Sequence, residues 1–269
     1  MQEFFYSPRN LYYRKNETIA GRATLVFVHG ISGSSSAWLP YERKFEKEYN
    51  ILTFDLRGHG KSGKPKGLKG YAISKFADDL FELIQFLGID RPIIISHSFG
   101  SLIALEFIAK HMDVVDKAVF LSPNLAPKQI ISGKIIRPLL ELVKVFSLFP
   151  FNQKARGHVD YQRFANSGDW NIPRMIADIG MTSLPVYLYG TKQSYKVDYR
   201  DLAGKIDFPV LIMHGKKDSI FPLSGAVKMH EKIKNSRLIV LENSNHILVL
   251  NNFKEVSEAI SGFIVSPSS

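Results

Sequence analysis

The stretch that most constrains this chain is Pro92-Ile-Ile-Ile-Ser-His-Ser-Phe-Gly-Ser-Leu-Ile-Ala-Leu-Glu-Phe107. The β-branched run Ile93–Ile95 reads as a strand buried on both faces, the kind a parallel sheet uses. It breaks at Ser96-His97-Ser98-Phe99-Gly100 and resumes with helical spacing, Leu102, Leu105 and Ile108 forming an apolar stripe. Small residues two places either side of Ser98 permit a very tight strand-to-helix turn. Such a turn exposes the Ser98 hydroxyl at the carboxyl edge of a sheet. It also aims a helix N-terminus at that hydroxyl, where developing negative charge is stabilised.

The remaining pattern supplies the sheet. Residues 3–20 suggest two strands joined by Ser7-Pro8-Arg9-Asn10, an antiparallel edge. Apolar runs at Thr24–Val28, Ile51–Asp55, Ala118–Leu121, Phe208–Met213 and Arg237–Leu241 read as buried strands. Helical patterns fall at Ala37–Tyr49, at Ser74 (as N-cap) to Gly88, at Leu223–Ile233 and at Phe253–Ile264. Strands and helices alternating with short loops mean βαβ units and a mostly parallel central sheet flanked by helices, an α/β fold. From Asn124 the alternation stops. Residues 124–205 are aromatic-rich and helical in pieces, with Leu139–Phe149 as one piece and Pro150, Pro173 and Pro185 as interruptions. The expected organisation is a core domain of residues 1–123 and 206–269 with a helical cap, or lid, inserted at 124–205. The ends of that insert must meet on the carboxyl side of the sheet, above Ser98.

Composition narrows the chemistry. The chain has 269 residues and no cysteine, so disulfides, thiolate metal sites and a cysteine nucleophile are excluded. The net charge is +10, and residues 124–205 hold 12 Lys and Arg against 6 Asp and Glu. No basic run is interleaved with stacking aromatics, so a solvated basic surface is expected and nucleic acid is not. Met1–Asn10 lacks the n- and h-regions of a signal peptide, and no apolar run approaches the roughly 18 residues of a membrane span. A soluble cytoplasmic protein is the expectation. The apolar segment Leu139–Phe151, flanked by Lys and Arg, offers the one place for membrane contact.

A serine nucleophile needs a base, a group to orient the base, and donors for an oxyanion. Val210–Met213 runs into His214-Gly-Lys-Lys-Asp218, which brings a carboxylate to the same sheet edge as Ser98. Leu238–Leu241 runs into Glu242-Asn-Ser-Asn-His246, which brings an imidazole there. Asp218 also suits a turn residue capping the helix that follows it. His29, His59, His97 and His214 read as structural, and His111, His158 and His230 lack metal-ligand spacing. Gly58-His-Gly-Lys-Ser-Gly63 has dinucleotide-loop spacing, but Lys64-Pro-Lys-Gly67 continues it as loop and denies it a helix N-terminus. No cofactor is implied.

Five separated motifs together resemble the α/β-hydrolase superfamily. Ser96–Gly100 resembles its nucleophile elbow, with Ser96 in place of the usual first Gly. His29-Gly-Ile-Ser-Gly33 is similar to its oxyanion loop, and Asp55-Leu-Arg-Gly-His-Gly-Lys-Ser62 to the turn after the next strand. His214–Asp218 and Ser244-Asn-His246 resemble its acid and histidine loops, with Asn245 where Gly is more usual. The order Ser98, Asp218, His246 matches the family's Ser, Asp, His order. In some members the acid follows the preceding strand, where this chain has the uncharged Asn124.

The resemblance implies Ser98 as nucleophile, His246 as general base and then acid, and Asp218 as the orienting carboxylate. It implies the backbone N–H groups of Ile31 and Phe99 as the oxyanion hole. The function expected is hydrolysis of an ester or related acyl substrate, small and apolar, through an acyl-enzyme. Carbon–carbon bond hydrolysis and acyl transfer use the same triad. A slow or non-catalytic small-molecule receptor on the same fold is the reading from another class.

Overall fold

The computed structural model describes residues 1–65, 67–127 and 157–265. Eight strands form one sheet in the order β1-β2-β4-β3-β5-β6-β7-β8. β1 (Gln2–Tyr6) and β2 (Leu11–Lys15) are the antiparallel edge, and β2 pairs antiparallel with β4 (Asn50–Phe54). From β4 onward every pairing is parallel, through β3 (Thr24–Val28), β5 (Ile93–His97), β6 (Lys117–Leu121), β7 (Val210–Gly215) and β8 (Ser236–Leu241). The central strands are buried throughout, which is why they read as continuous apolar runs.

The helices cover both faces. On one lie α2 (Ile73–Phe86) and α3 (Phe99–His111), whose Phe76, Leu80, Leu102 and Leu105 share a core with Val26 and Ile94. On the other, Trp38, Tyr41 and Phe45 from α1 (Leu39–Phe45) and the turn before it pack with Leu25, Phe27 and Ile95. Two helix boundaries need correction. The helical pattern at Ala37–Tyr49 is a 3-10 turn over Ser35–Trp38 followed by α1, which stops at Phe45. The N-cap of α2 is Ala72 rather than Ser74, because the chain is already extended at Ala72 and Ile73 turns in to bury its side chain. Gly88 does close α2, at φ +61°.

Between β6 and β7 the described residues form α4 (Ile172–Thr182), α5 (Leu184–Ser194) and the short α6 (Arg200–Ala203). Pro173 and Pro185 do not interrupt these helices. Each sits in a first turn, where its missing N–H costs nothing and its fixed φ favours the helix. The segment Leu139–Phe151, with Pro150, lies outside the described residues. The insert lies over the loop that follows β3. Ser36 Oγ donates to Val159 O (2.9 Å) and Thr182 Oγ1 to Ser32 O (3.0 Å). Three further helices follow on the core: α7 (Leu223–Lys232), then α8 (Leu248–Asn251) leading into α9 (Phe253–Val265).

Candidate active site

The sheet order sets β3, β5, β6, β7 and β8 side by side. The loops at their carboxyl ends therefore line up as the 29–33 turn, Ser98, Ser122, the 216–222 loop and the 242–247 loop. Ser98 has φ +53°, a left-handed value that costs energy in a residue with a Cβ. The turn is held by Ser98 N–H donating to Leu121 O (3.0 Å), one step beyond the β5–β6 ladder. Glycine is required at position 100, since a Cβ would stand 2.5 Å from Val28 O and 2.6 Å from His29 O. It is not required at 96. The Ser96 side chain is fully buried, with Oγ 3.2 Å from Ser101 Oγ and 3.3 Å from Val119 O.

His246 lies between the other two candidates, its Nε2 2.7 Å from Ser98 Oγ and its Nδ1 2.8 Å from Asp218 Oδ2. Asp218 Oδ1 accepts from the N–H groups of Ile220 (2.9 Å) and Phe221 (2.8 Å). Asp218 is thus a turn-former and the partner of the imidazole at once. Burial works to raise its carboxyl, but the His246 hydrogen bond and charge, the Phe221 N–H and His214 outweigh it and leave it below its ordinary value. Asn245 needs no left-handed backbone. Its side chain instead donates to Ser167 O (3.0 Å) and accepts from Ile247 N–H (3.0 Å), fastening the loop to the insert.

The turn Gly30–Gly33 is closed by Gly33 N–H donating to Gly30 O (3.2 Å), with Ser32 at φ +57°. A β-turn leaves the N–H of its second residue, here Ile31, outside the turn bond. Phe99, the first residue of α3, likewise has no intrahelical acceptor. Among the described residues neither N–H donates to a protein acceptor.

The histidines beside the motifs are buried props. His29 Nε2 accepts from Leu56 N–H (3.0 Å), which leaves Nδ1–H to donate to Gly30 O (2.8 Å). Burial holds its imidazole down at about 4. His97 donates Nε2–H to His246 O (2.9 Å), beside Ser122 Oγ (3.0 Å) on the same carbonyl. Burial, then the neighbouring His246, keeps His97 at about 3 and so neutral. His59, also held near 3 by burial, donates Nδ1–H to Arg57 O (2.9 Å). His214 faces Phe221 O (3.0 Å) and is lowered by burial. Asp55 accepts from Ser35 N–H and Oγ–H, Lys61 N–H and His158 Nε2 at 2.7–2.8 Å. The decoy glycines answer to packing, since a Cβ on Gly60 would strike Asp55 and one on Gly58 would strike Tyr71.

Sequence reasoning missed Asp169. Its Oδ1 accepts from His246 N–H (2.8 Å), while Oδ2 accepts from Ser219 N–H (2.9 Å) and Oγ–H (2.7 Å). One buried carboxylate from the insert therefore ties the histidine loop to the acid loop. The one local signal was Asn171 followed by Pro173, a helix start whose Asn171 side chain accepts from Arg174 N–H (2.9 Å). Such a signal marks a helix start but says nothing of Asp169's partners. Arg174, Asp178 and Tyr161 were missed as well, and all three line the same cavity as Ser98 and His246. That cavity has a volume of about 330 Å³ and apolar walls that include Phe99, Ile220, Val249 and Leu250. Among the described residues no group of three or more His, Asp or Glu converges to hold a metal, and no helix is long and apolar enough to cross a membrane.

Residues 23–253 match the family model described as the alpha/beta hydrolase fold. The chain belongs to the α/β-hydrolase fold family. It is 24% identical to a proline iminopeptidase of Saccharolobus solfataricus, over 95% of this chain and 89% of that one. Its structure is similar to that of EaEST, an esterase from Exiguobacterium antarcticum, with a TM-score of 0.76 at 24% identity over 95% and 96% of the two chains. It is also similar to an enol-lactonase from Burkholderia xenovorans, with a TM-score of 0.73 at 21% identity over 95% and 96%.

Proposed function

We propose that this α/β hydrolase is a serine hydrolase that cleaves a small ester or related acyl substrate. The observation that carries the reading is His246 poised between Ser98 Oγ (2.7 Å) and Asp218 Oδ2 (2.8 Å) at the floor of an apolar cavity. Ser98 Oγ attacks the carbonyl carbon while His246 Nε2 takes its proton, and Asp218 holds Nδ1–H and stabilises the imidazolium that forms. Charge on the carbonyl oxygen meets the N–H groups of Ile31 and Phe99, which have no competing acceptor, at the N-terminus of α3. The imidazolium protonates the departing alcohol, leaving an acyl-Ser98. Water, deprotonated by His246, then releases the acid. Residues 124–205 act as a cap that excludes water and shapes the acyl site. Proteins named esterase, enol-lactonase and proline iminopeptidase among the relatives support acyl transfer to water as the shared chemistry.

The test is labelling by a fluorophosphonate together with turnover of a panel of short-chain esters and lactones. The reading expects stoichiometric labelling that vanishes in Ser98→Ala and multiple turnover on at least one panel member. Absence of labelling would sink the serine mechanism. Labelling without turnover would favour a receptor on this fold.

A further inference from the structure

Among the described residues, Arg174 is a buried cation with too few partners. It is only 7% exposed. Of its five N–H donors, Nη2 supplies one, to the backbone oxygen of Asp169 (2.7 Å), and Nε is buried with no acceptor. Among the described residues no carboxylate comes within ion-pair distance of it. A buried charge left in that state is costly, and a complementary charge with good hydrogen-bond geometry offsets the cost. Burial pulls the guanidinium below its ordinary value in spite of Asp178, Tyr161 and Asp169 nearby.

The position of Arg174 says what would complete it. Arg174 and Asp178 lie one turn apart on α4, as do Met175 and Ile179, and all four line the cavity that holds Ser98. Asp178 attracts Arg174 from a distance but makes no close ion pair with it. Its Oδ1 is taken by the Tyr161 hydroxyl (2.8 Å), and Arg before Asp is the weaker order for a pair four residues apart. Burial pushes the Asp178 carboxyl up to about 6, so it is readily discharged when a second anion arrives. The wall also holds Asp169, whose oxygens are taken by Ser219 and His246 N–H, and the hydroxyls of Tyr187, Thr191, Ser194 and Tyr195; much of the remainder is hydrocarbon.

We propose that Arg174 binds a carboxylate carried by the substrate, so that the ester cleaved is an acidic one, such as the monoester of a dicarboxylic acid. The inference rests on Ser98 as the nucleophile, and it adds the group that fixes the far end of the acyl chain. Recognition of this kind discriminates strongly, because a neutral chain leaves the guanidinium buried and unpaired.

The experiment compares kcat/KM for monoethyl esters of a dicarboxylic acid series with ethyl esters of chain-matched monocarboxylic acids. The wild type is expected to prefer the charged ester by about tenfold or more at one chain length. Arg174→Met should collapse that ratio by a similar factor, Arg174→Lys should restore part of it, and Asp178→Asn should keep or raise it. Equal rates for charged and neutral esters at every length, or an unchanged ratio in Arg174→Met, would overturn the proposal. A purely structural Arg174 would slow both series together and leave the ratio alone. Calorimetry on Ser98→Ala with monoethyl adipate and ethyl hexanoate reads the subsite without turnover. Preferential binding of the monoester with no turnover by the wild type would fail the reaction and keep the subsite. Turnover of neutral esters with no preference would do the reverse.

Discussion

The Ser98 turn and the Asp169–Asp178 stretch line one cavity, yet they are built in opposite ways. The turn is a backbone construction. Its geometry comes from a left-handed Ser98, a position 100 with no room for a Cβ, and a ladder bond to Leu121. The stretch on the insert is held by side chains, Asp169 to Ser219 and His246 and Trp170 Nε1 to Ser219 Oγ (3.0 Å) across the fold, and Tyr161 to Asp178 within the insert. The backbone construction fixes where the proposed nucleophile stands and tolerates little change. The side-chain construction leaves room for substrate choice to alter without disturbing the serine.

The largest test of this contrast is chemical. Ser98→Ala should lower kcat/KM by about 10⁴-fold or more, and Asp218→Asn by about 10³–10⁴-fold, in steady-state ester assays. If Asp218→Asn costs less than tenfold, the imidazole is oriented by something else. Next comes the link between the regions. Asp169→Asn should cost about 10–100-fold in kcat, since the amide nitrogen cannot accept from Ser219 and the two loops lose their shared anchor. An unchanged kcat there would separate the insert from the triad entirely.

Smaller effects fall on stability. Gly100→Ala should cost about 1–3 kcal/mol in a urea titration, because Val28 O and His29 O belong to backbone that shifts little. Asp178 gives a signed pH effect. Its folded carboxyl lies at about 6, above its ordinary value, so the folded state holds a proton that the unfolded state has lost between about pH 4 and 6. Its contribution to stability therefore falls as pH rises through that window. Asp178→Asn should match the wild type below about pH 4 and exceed it by about 2–3 kcal/mol above pH 7, an upper bound for one buried carboxyl. Parallel stability curves for the two proteins would show that the charge is compensated.

The sheet was legible because buried parallel strands must be continuous apolar runs, and β3, β5, β6 and β7 each are. The helix boundaries were less so. Ser74 looks like a cap by composition, but the extended backbone at Ala72 decides the start, and that depends on where Ile73 buries. Pro173 and Pro185 read as breaks because proline's local rule has two outcomes, ending a helix or beginning one, and only the surrounding fold selects between them.

The sequence by itself determined the strand-to-helix turn at Ser98 and the loops that carry Asp218 and His246, since each is encoded within a few consecutive residues. That the three side chains stand 2.7 and 2.8 Å apart was decided by the parallel order of β5, β6, β7 and β8. Tertiary structure alone recruited Asp169 from 77 residues before His246 and left Arg174 buried with no carboxylate in ion-pair distance among the described residues. Side-chain contacts over such separations leave no local periodicity or motif, because nothing in the neighbouring residues has to change to make them.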